Sequence, residues 1–122
     1  MRQLARRFSA YERRPSRKDP ERPRTELRLL PQPIHRYACE SVGLLDGAIF
    51  AFVHGGTNAQ IVMLIEARRG DDDSARWTVG FGRLSEGDNF VQLDGHQFWS
   101  EAAPPRPLPR DFPSNYISKT VP

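Results

Sequence analysis

The residues that most often carry out catalysis are few and far apart in this sequence. The three histidines, His35, His54 and His96, fall in three separate predicted elements. His35 and Cys39 share one face of a candidate strand, but a spacing of four residues places them about 13 Å apart. That distance is too long for a histidine to activate a thiol directly. The spacing of the histidines and of Cys39 therefore gives no support for a catalytic site.

Metal and phosphate-loop chemistry have equally little support. Cys39 is the only cysteine, which excludes a paired-cysteine metal site and an intramolecular disulfide. The glycine-rich segment at residues 55–57 lacks the lysine and the strand-to-helix context of a phosphate loop. The acidic turn at residues 70–74 lacks the ligand spacing and the final glutamate of a calcium loop. We therefore predict no metal and no cofactor.

Positive charge is the chemical feature that the sequence does concentrate. Residues 1–24 hold nine of the 18 lysines and arginines against three acidic residues, a net charge of +6, whereas the rest of the chain carries −3. Such an arm suits an anionic partner, either nucleic acid, an acidic protein face or an anionic membrane surface, and it equally suits a merely solvated tail. The candidate nucleic-acid or anion contacts are Arg6, Arg7, Arg13, Arg14, Arg17 and Lys18.

The chain divides into an arm, a domain and a tail. Leu4, Phe8 and Tyr11 recur at i, i+4 and i+7, which predicts a short amphipathic helix over residues 2–14 that is marginal unless it packs on something. Prolines then interrupt the chain up to residue 24. We expect a basic arm at residues 1–24, partly helical or disordered, a β domain at residues 25–101 and an extended proline-rich tail at residues 102–122.

Two Asp-Gly pairs flanked by apolar residues, at residues 46–47 and 94–95, predict hairpins with type I′ turns. We predict two strands before the first of these pairs, at residues 25–30 and 34–39. In the second hairpin a two-residue loop pairs Val91 with Phe98 and Phe90 with Trp99. His96 then lies beside Leu93, at the rim or partly buried, rather than in a ligand site.

Residues 48–53 and 61–65 predict a central hairpin whose strands are apolar on both faces. Ile49 and Val53 share one face of the first strand, and Phe50 and Phe52 share the other. A two-layer fold leaves one face to water, so the second face needs cover from the arm helix, a partner sheet or a second molecule. The candidate protein-interface residues are Leu4, Phe8, Tyr11, Phe50, Phe52 and Trp99.

Residues 76–84 alternate as a further strand, with Gly80 and Gly82 on the same face. Glycines at two such positions indicate either a strongly curved strand or a groove that another backbone, a ring or a ligand can approach. If it is a ligand groove, His35 or His96 is expected nearby.

These elements predict a mainly β fold, a small antiparallel meander that forms a sandwich or a partly open barrel, with a short N-terminal amphipathic helix and extended tails. A chain of 122 residues allows one modest core. The sequence has no apolar run of the length of a leader or a membrane span, and its single cysteine favours a reducing compartment. We therefore expect a soluble cytoplasmic protein.

The run Leu-Leu-Asp-Gly-Ala-Ile-Phe-Ala-Phe-Val at residues 44–53, followed by residues 61–69 and 91–99, resembles a family of uncharacterised bacterial proteins. The resemblance covers about residues 28–100. It implies a shared domain with the signature Leu-Asp-Gly-Ala-x-Phe-Ala-Phe, and it implies no activity, cofactor or functional residue.

The sequence favours a non-catalytic interaction domain that self-associates or docks on a larger assembly, so a protein partner or a homo-oligomer is expected. The alternative is a nucleic-acid-associated protein that binds phosphates through its basic arm. A second alternative is a small-ligand-binding or enzymatic β domain built on the Gly80 and Gly82 face.

Overall fold

A computed structural model of the chain describes residues 1–14, 18–56, 58–103 and 117–121, with only the backbone described at residues 117 and 118. The described elements are one short helix, α1 (Arg2–Ala5), one 3-10 turn (Glu40–Val42) and nine strands. The strands are β1 (Phe8–Arg13), β2 (Thr25–Leu29), β3 (His35–Cys39), β4 (Leu44–Val53), β5 (Ala59–Arg69), β6 (Ala75–Arg83), β7 (Asp88–Leu93), β8 (His96–Glu101) and β9 (Ile117–Thr120).

All strand pairs are antiparallel and belong to one sheet, in the order β8-β7-β1-β2-β4-β5-β6-β9, with β3 also paired to β4. The sheet is curled into a half-barrel, and its two ends approach each other. Phe81 on β6 contacts Phe8 and Phe98 edge-on, and Lys119 Nζ donates to the carbonyl of Phe98 at 2.9 Å. The predicted antiparallel β class is confirmed.

The predicted N-terminal helix is wrong over most of its length. Only α1 is helical, and β1 lies inside the sheet between β7 and β2. A single helix of this length is marginal in water, whereas a strand between two others uses the backbone groups along both of its edges. Because β1 pairs with β2, the predicted boundary between an arm and a domain near Thr25 does not coincide with a break in the sheet.

The predicted central hairpin is confirmed as β4 and β5. Phe50 and Phe52 point inward, opposite Met63 and Ile61, and all four are buried in the concave core. The core also takes apolar side chains from β1, β2, β6, β7 and β8. The concave face of the half-barrel therefore holds the main hydrophobic core of the described residues.

The turn predicted at Asp46-Gly47 is wrong, because both residues lie within β4. The ring of Tyr37, on the neighbouring strand β3, covers Gly47 so closely that a Cβ there would lie 2.5 Å from Cε2 of Tyr37. Glycine at this position therefore provides space for a ring from the next strand, and a turn is not formed.

The hairpin at Asp94-Gly95 is confirmed, with φ values of +50° and +82° that a type I′ turn requires. Its predicted register is wrong beyond the turn. A register shift after Gln92 pairs Val91 with Trp99 instead of Phe98. This bulge turns Trp99 into the core, where its ring stacks on Phe81 at 5.4 Å.

The tail is described only in part. Residues 104–116, which hold the predicted proline-rich segment, lie outside the described residues. The strand β9 that follows them pairs with β6 at the edge of the sheet.

Candidate functional site

Four of the six residues predicted as a protein interface lie in the core instead. Each of the four is at most 3% exposed and belongs to one core cluster: Phe8, Phe50, Phe52 and Trp99. Their burial corrects the prediction, because a side chain enclosed by its own fold offers no contact area to a partner.

The other two predicted interface residues are only partly covered. Leu4 packs on the edge of the core from α1. Tyr11 faces outward from β1, where its ring stacks on Phe90 with centroids 4.7 Å apart and planes 11° from parallel. The guanidinium of Arg24 lies 4.3 Å from the same tyrosine ring. An arginine and two rings thus form a stacked column on the convex face.

The predicted basic contacts do not form one patch. Arg6 and Arg7 lie before β1, at one end of the half-barrel, whereas Arg13, Arg14 and Lys18 lie at or beyond its other end. Arg17 lies outside the described residues. Because β1 is six residues long, about 20 Å separates the two groups.

The histidines occupy separate elements, as the sequence predicts. His35 lies on β3, His54 follows β4 and His96 begins β8, and all three are exposed. Within the described ranges no group of three or more His, Cys, Asp and Glu residues is placed to hold a metal ion. The Gly82 face is occupied in part by Val62, whose Cγ2 would lie 3.0 Å from a Cβ at residue 82. Gly82 therefore accommodates the side chain of Val62 from the neighbouring strand.

Part of the outward face of β4, β5 and β6 is apolar. Alternation along the strands places Ile49, Val62 and Leu64 on this face, all half-buried. Leu84 continues the Gly80, Gly82 row beyond the end of β6 and is 61% exposed. We call Ile49, Val62, Leu64 and Leu84 the convex strip.

Buried polar side chains gather at the end of the half-barrel where β1 meets the start of β7, which we call the polar end. Ser85 Oγ donates to Asn89 Oδ1 at 2.9 Å, and Asn89 Nδ2 donates to the Gly87 carbonyl at 3.4 Å. Glu12, opposite Asn89 in register, is 5% exposed, and its carboxylate accepts from Nε of Arg14. Hydrogen bonds and one ion pair thus close this end.

A pocket of about 210 Å³ opens at the polar end. Its lining combines the buried carboxylate with donors from the β1–β2 connection and from the ends of β4 and β5. The polar lining residues are Glu12, Arg14, Arg22, Thr25, His54 and Gln60.

The opposite end of the half-barrel, which we call the α1 end, has a different character. A pocket of about 300 Å³ there is lined by Leu4, Trp77 and Val121 together with Arg7 and Arg76. The half-buried apolar side chains of this lining pack on the core. Apolar contacts therefore contribute most of the cover at this end.

An exposed ion pair fixes the N-terminal segment to the β7–β8 turn at the α1 end. Arg7 Nη2 lies 2.7 Å from Asp94 Oδ2, and the Asp94 amide donates to the carbonyl of Arg7 at 3.0 Å. The hydrogen bond from Arg7, with its positive charge, lowers the pKa of Asp94 below its ordinary value, and the same contact raises the pKa of Arg7.

Sequence reasoning missed Glu12, Ser85 and Asn89 as members of one group. A usable signal was present, since Phe8, Ala10 and Glu12 recur at the period of a strand and share the buried face of β1. The strand was not predicted because the spacing of Leu4 and Phe8 also fits a helix.

No family model, curated protein or solved structure matches this chain. The resemblance to a bacterial family with the Leu-Asp-Gly-Ala signature therefore stays a prediction. Among the described residues, no helix has the length and apolar character needed to cross a membrane.

Proposed function

We propose that this chain is a non-catalytic interaction domain that self-associates through the convex strip. The observation that carries the proposal is the apolar part of the outward face of β4, β5 and β6, with Leu84 61% exposed at its edge. Apolar residues grouped on a surface favour burial against another protein. Phe50 and Phe52, which the sequence predicts as interface residues, belong to the core, so the proposed interface lies on the opposite face of the same strand.

A second copy of the chain is the partner that this surface suits. A two-fold interface brings a patch against itself, so any charge in its centre meets the same charge. Ile49, Val62 and Leu64 bring no charge to the strip, and the nearest carboxylate on this face, Glu66, is engaged by Arg68 and Tyr37. The strip is small, and a weak, concentration-dependent dimer is therefore expected.

Sedimentation equilibrium of the full chain from about 5 to 500 μM tests the proposal. The wild type should show an increasing mass with concentration. Leu64→Lys should weaken the dimer about tenfold or more, because it removes an apolar side chain from the interface and brings two ammonium groups together.

Val42→Lys is the matched control, because Val42 is also apolar and 66% exposed but lies in the 3-10 turn, outside the strip. It should leave the association unchanged. A wild type that stays monomeric over the whole range, or equal effects of the two folded variants, would rule out self-association through the strip.

The stacked column favours a second candidate function, association with single-stranded nucleic acid. Phe90 presents the end of an arginine–ring–ring stack on the convex face, and Arg13 is exposed on the same strand as Tyr11. Aromatic rings and arginines on a sheet are a known platform for bases and phosphates. Deleting residues 1–24 is a poor test, because it removes β1 from the sheet.

Point variants test this second candidate. Fluorescence anisotropy with a labelled oligonucleotide should show binding that weakens with salt, and Phe90→Leu should reduce affinity about fivefold or more. Arg36→Gln, on β3 and away from the column, is the control. Absence of binding at low salt would exclude the candidate.

A further inference from the structure

The pocket at the polar end has the size and the walls of a small-ion site. Its volume of about 210 Å³ lies below the range of about 300–1,000 Å³ that holds drug-sized ligands and cofactors. Among its lining side chains, arginine, threonine, histidine and glutamine supply hydrogen-bond donors. A compact polar ligand with several acceptors fits such a lining.

The charge of the pocket is positive despite its buried carboxylate. Glu12 is engaged by the Nε of Arg14, whose side chain is 55% exposed. Arg22 adds a second guanidinium, and no described residue forms an ion pair with it. The two arginines against one glutamate leave a net charge of +1 at the mouth of the pocket.

Two guanidinium groups select the chemistry of the ligand. Arginine presents N–H groups in a planar fork that matches two oxygens of a phosphate or carboxylate. Thr25 and Gln60 line the same pocket, and their side chains carry further hydrogen-bond donors. Tetrahedral oxyanions have acceptors in enough directions to use donors from several walls.

We propose that the polar-end pocket binds a phosphate group, either as free phosphate or as part of a larger molecule. Arg22 is its principal contact, Arg14 divides its donors between Glu12 and the ion, and Thr25 and Gln60 complete the cradle. The described lining of the pocket includes no residue of the convex strip, although the amide of Leu84 donates to the carbonyl of Gln60 at 2.8 Å, so Arg22→Gln and Leu64→Lys test the two proposals separately.

Titration of the ¹⁵N-labelled full chain with inorganic phosphate, followed by amide chemical shifts at constant ionic strength, tests this site. Shifts should concentrate at residues 12–14, 22–25, 54–56 and 58–60. Arg22→Gln should weaken binding about tenfold, because a charge-assisted hydrogen bond is lost. Glu12→Gln should tighten it, since the negative wall of the pocket becomes neutral.

Arg28→Gln is the matched control, because Arg28 is an exposed arginine on the outward side of β2 and outside the pocket lining. It should bind phosphate as the wild type does. Equal weakening by Arg22→Gln and Arg28→Gln, or no saturable shifts up to about 20 mM phosphate, would overturn the proposal.

A parallel titration with dimethyl phosphate distinguishes the source of the group. Tighter binding of inorganic phosphate supports a site for the free ion or a terminal phosphate. Equal binding of the diester supports a site for a nucleic-acid backbone. Either result supports the proposed pocket only if Arg22→Gln also weakens the binding.

Discussion

The strand β1 has an arginine–carboxylate pair at each end, and the two pairs differ in burial. At the α1 end, the side chains of Arg7 and Asp94 are 45% and 51% exposed. At the polar end, Arg14 is 55% exposed but Glu12 only 6%. Water can replace either partner of the exposed pair, whereas it has little access to the Glu12 carboxylate. The same chemical contact is therefore dispensable at one end and structural at the other.

The polar end also depends on buried neutral side-chain hydrogen bonds, whereas the neutral side-chain bond nearer the α1 end, from Ser9 to Gln92, is exposed. The largest expected effect is for Asn89→Leu, which removes the acceptor of Ser85 and the donor to Gly87 from a fully buried position. We expect a loss of about 1–3 kcal/mol in the free energy of unfolding, measured by urea titration.

Gln92→Leu, three residues further along β7, is the control for Asn89→Leu. Its side chain accepts only an exposed bond from Ser9 at 3.4 Å, and the change should stay within about 0.5 kcal/mol. Equal losses in the two variants would show that burial does not distinguish the two positions.

The two arginines should respond differently to the same substitution. Arg14→Gln leaves the Glu12 carboxylate buried without its charged partner and should cost about 1–2 kcal/mol of stability. Arg7→Gln leaves Asp94 in water and should cost less. Chemical denaturation of both variants at pH 7 makes the comparison.

A double variant identifies the cause of the Arg14→Gln loss. Adding Glu12→Gln removes the buried charge, so it should restore part of the lost stability. If the double variant is less stable than Arg14→Gln alone, the unpaired carboxylate is not the cause.

The smallest expected effect is a pH dependence at the α1 end. Arg7 lowers the pKa of Asp94 relative to the unfolded chain, where an aspartate titrates at about 3.9. The pair therefore contributes stability that is fully present above that value and is lost as the pH falls through the lower pKa of the folded state. Asp94→Asn removes this contribution, and asparagine tolerates the positive φ of the turn.

Urea unfolding of the wild type and Asp94→Asn at pH 7, 5 and 2.5 measures the difference. The wild type should be slightly more stable at pH 7 and 5, and the difference should be smaller at pH 2.5. His96 also lowers the pKa of Asp94 by its charge. Both proteins must therefore be compared at each pH. A difference that persists unchanged at pH 2.5 would assign the effect to the turn rather than to the ion pair.

Much of the sheet could be predicted from short-range patterns. The apolar runs of β4 and β5 and the Asp94-Gly95 turn depend on side chains and φ values of neighbouring residues, and both hairpins are present. Asp46-Gly47 is the same dipeptide but forms no turn. The ring of Tyr37, from another strand, packs against Gly47 instead. The dipeptide alone does not distinguish these two outcomes.

The candidate sites were less accessible to sequence reasoning. Arg14 is among the anion contacts that the sequence predicts, but Arg22 is not, and Glu12 counts in the sequence only as one charge in a basic arm. Its burial follows from the pairing of β1 with β7, which is about 80 residues away in the chain. The pocket likewise joins the β1–β2 connection to His54 and Gln60.

The sequence by itself determined the antiparallel β class, the central hairpin and the concentration of positive charge near the N-terminus, because these depend on local periodicity and composition. Only the tertiary structure decided that residues 8–13 are a strand, that Trp99 faces the core and that Glu12 is buried beside Arg14. Each of these outcomes depends on which strands become neighbours. A backbone segment of ambiguous periodicity adopts the conformation whose hydrogen bonds and burial its neighbours complete.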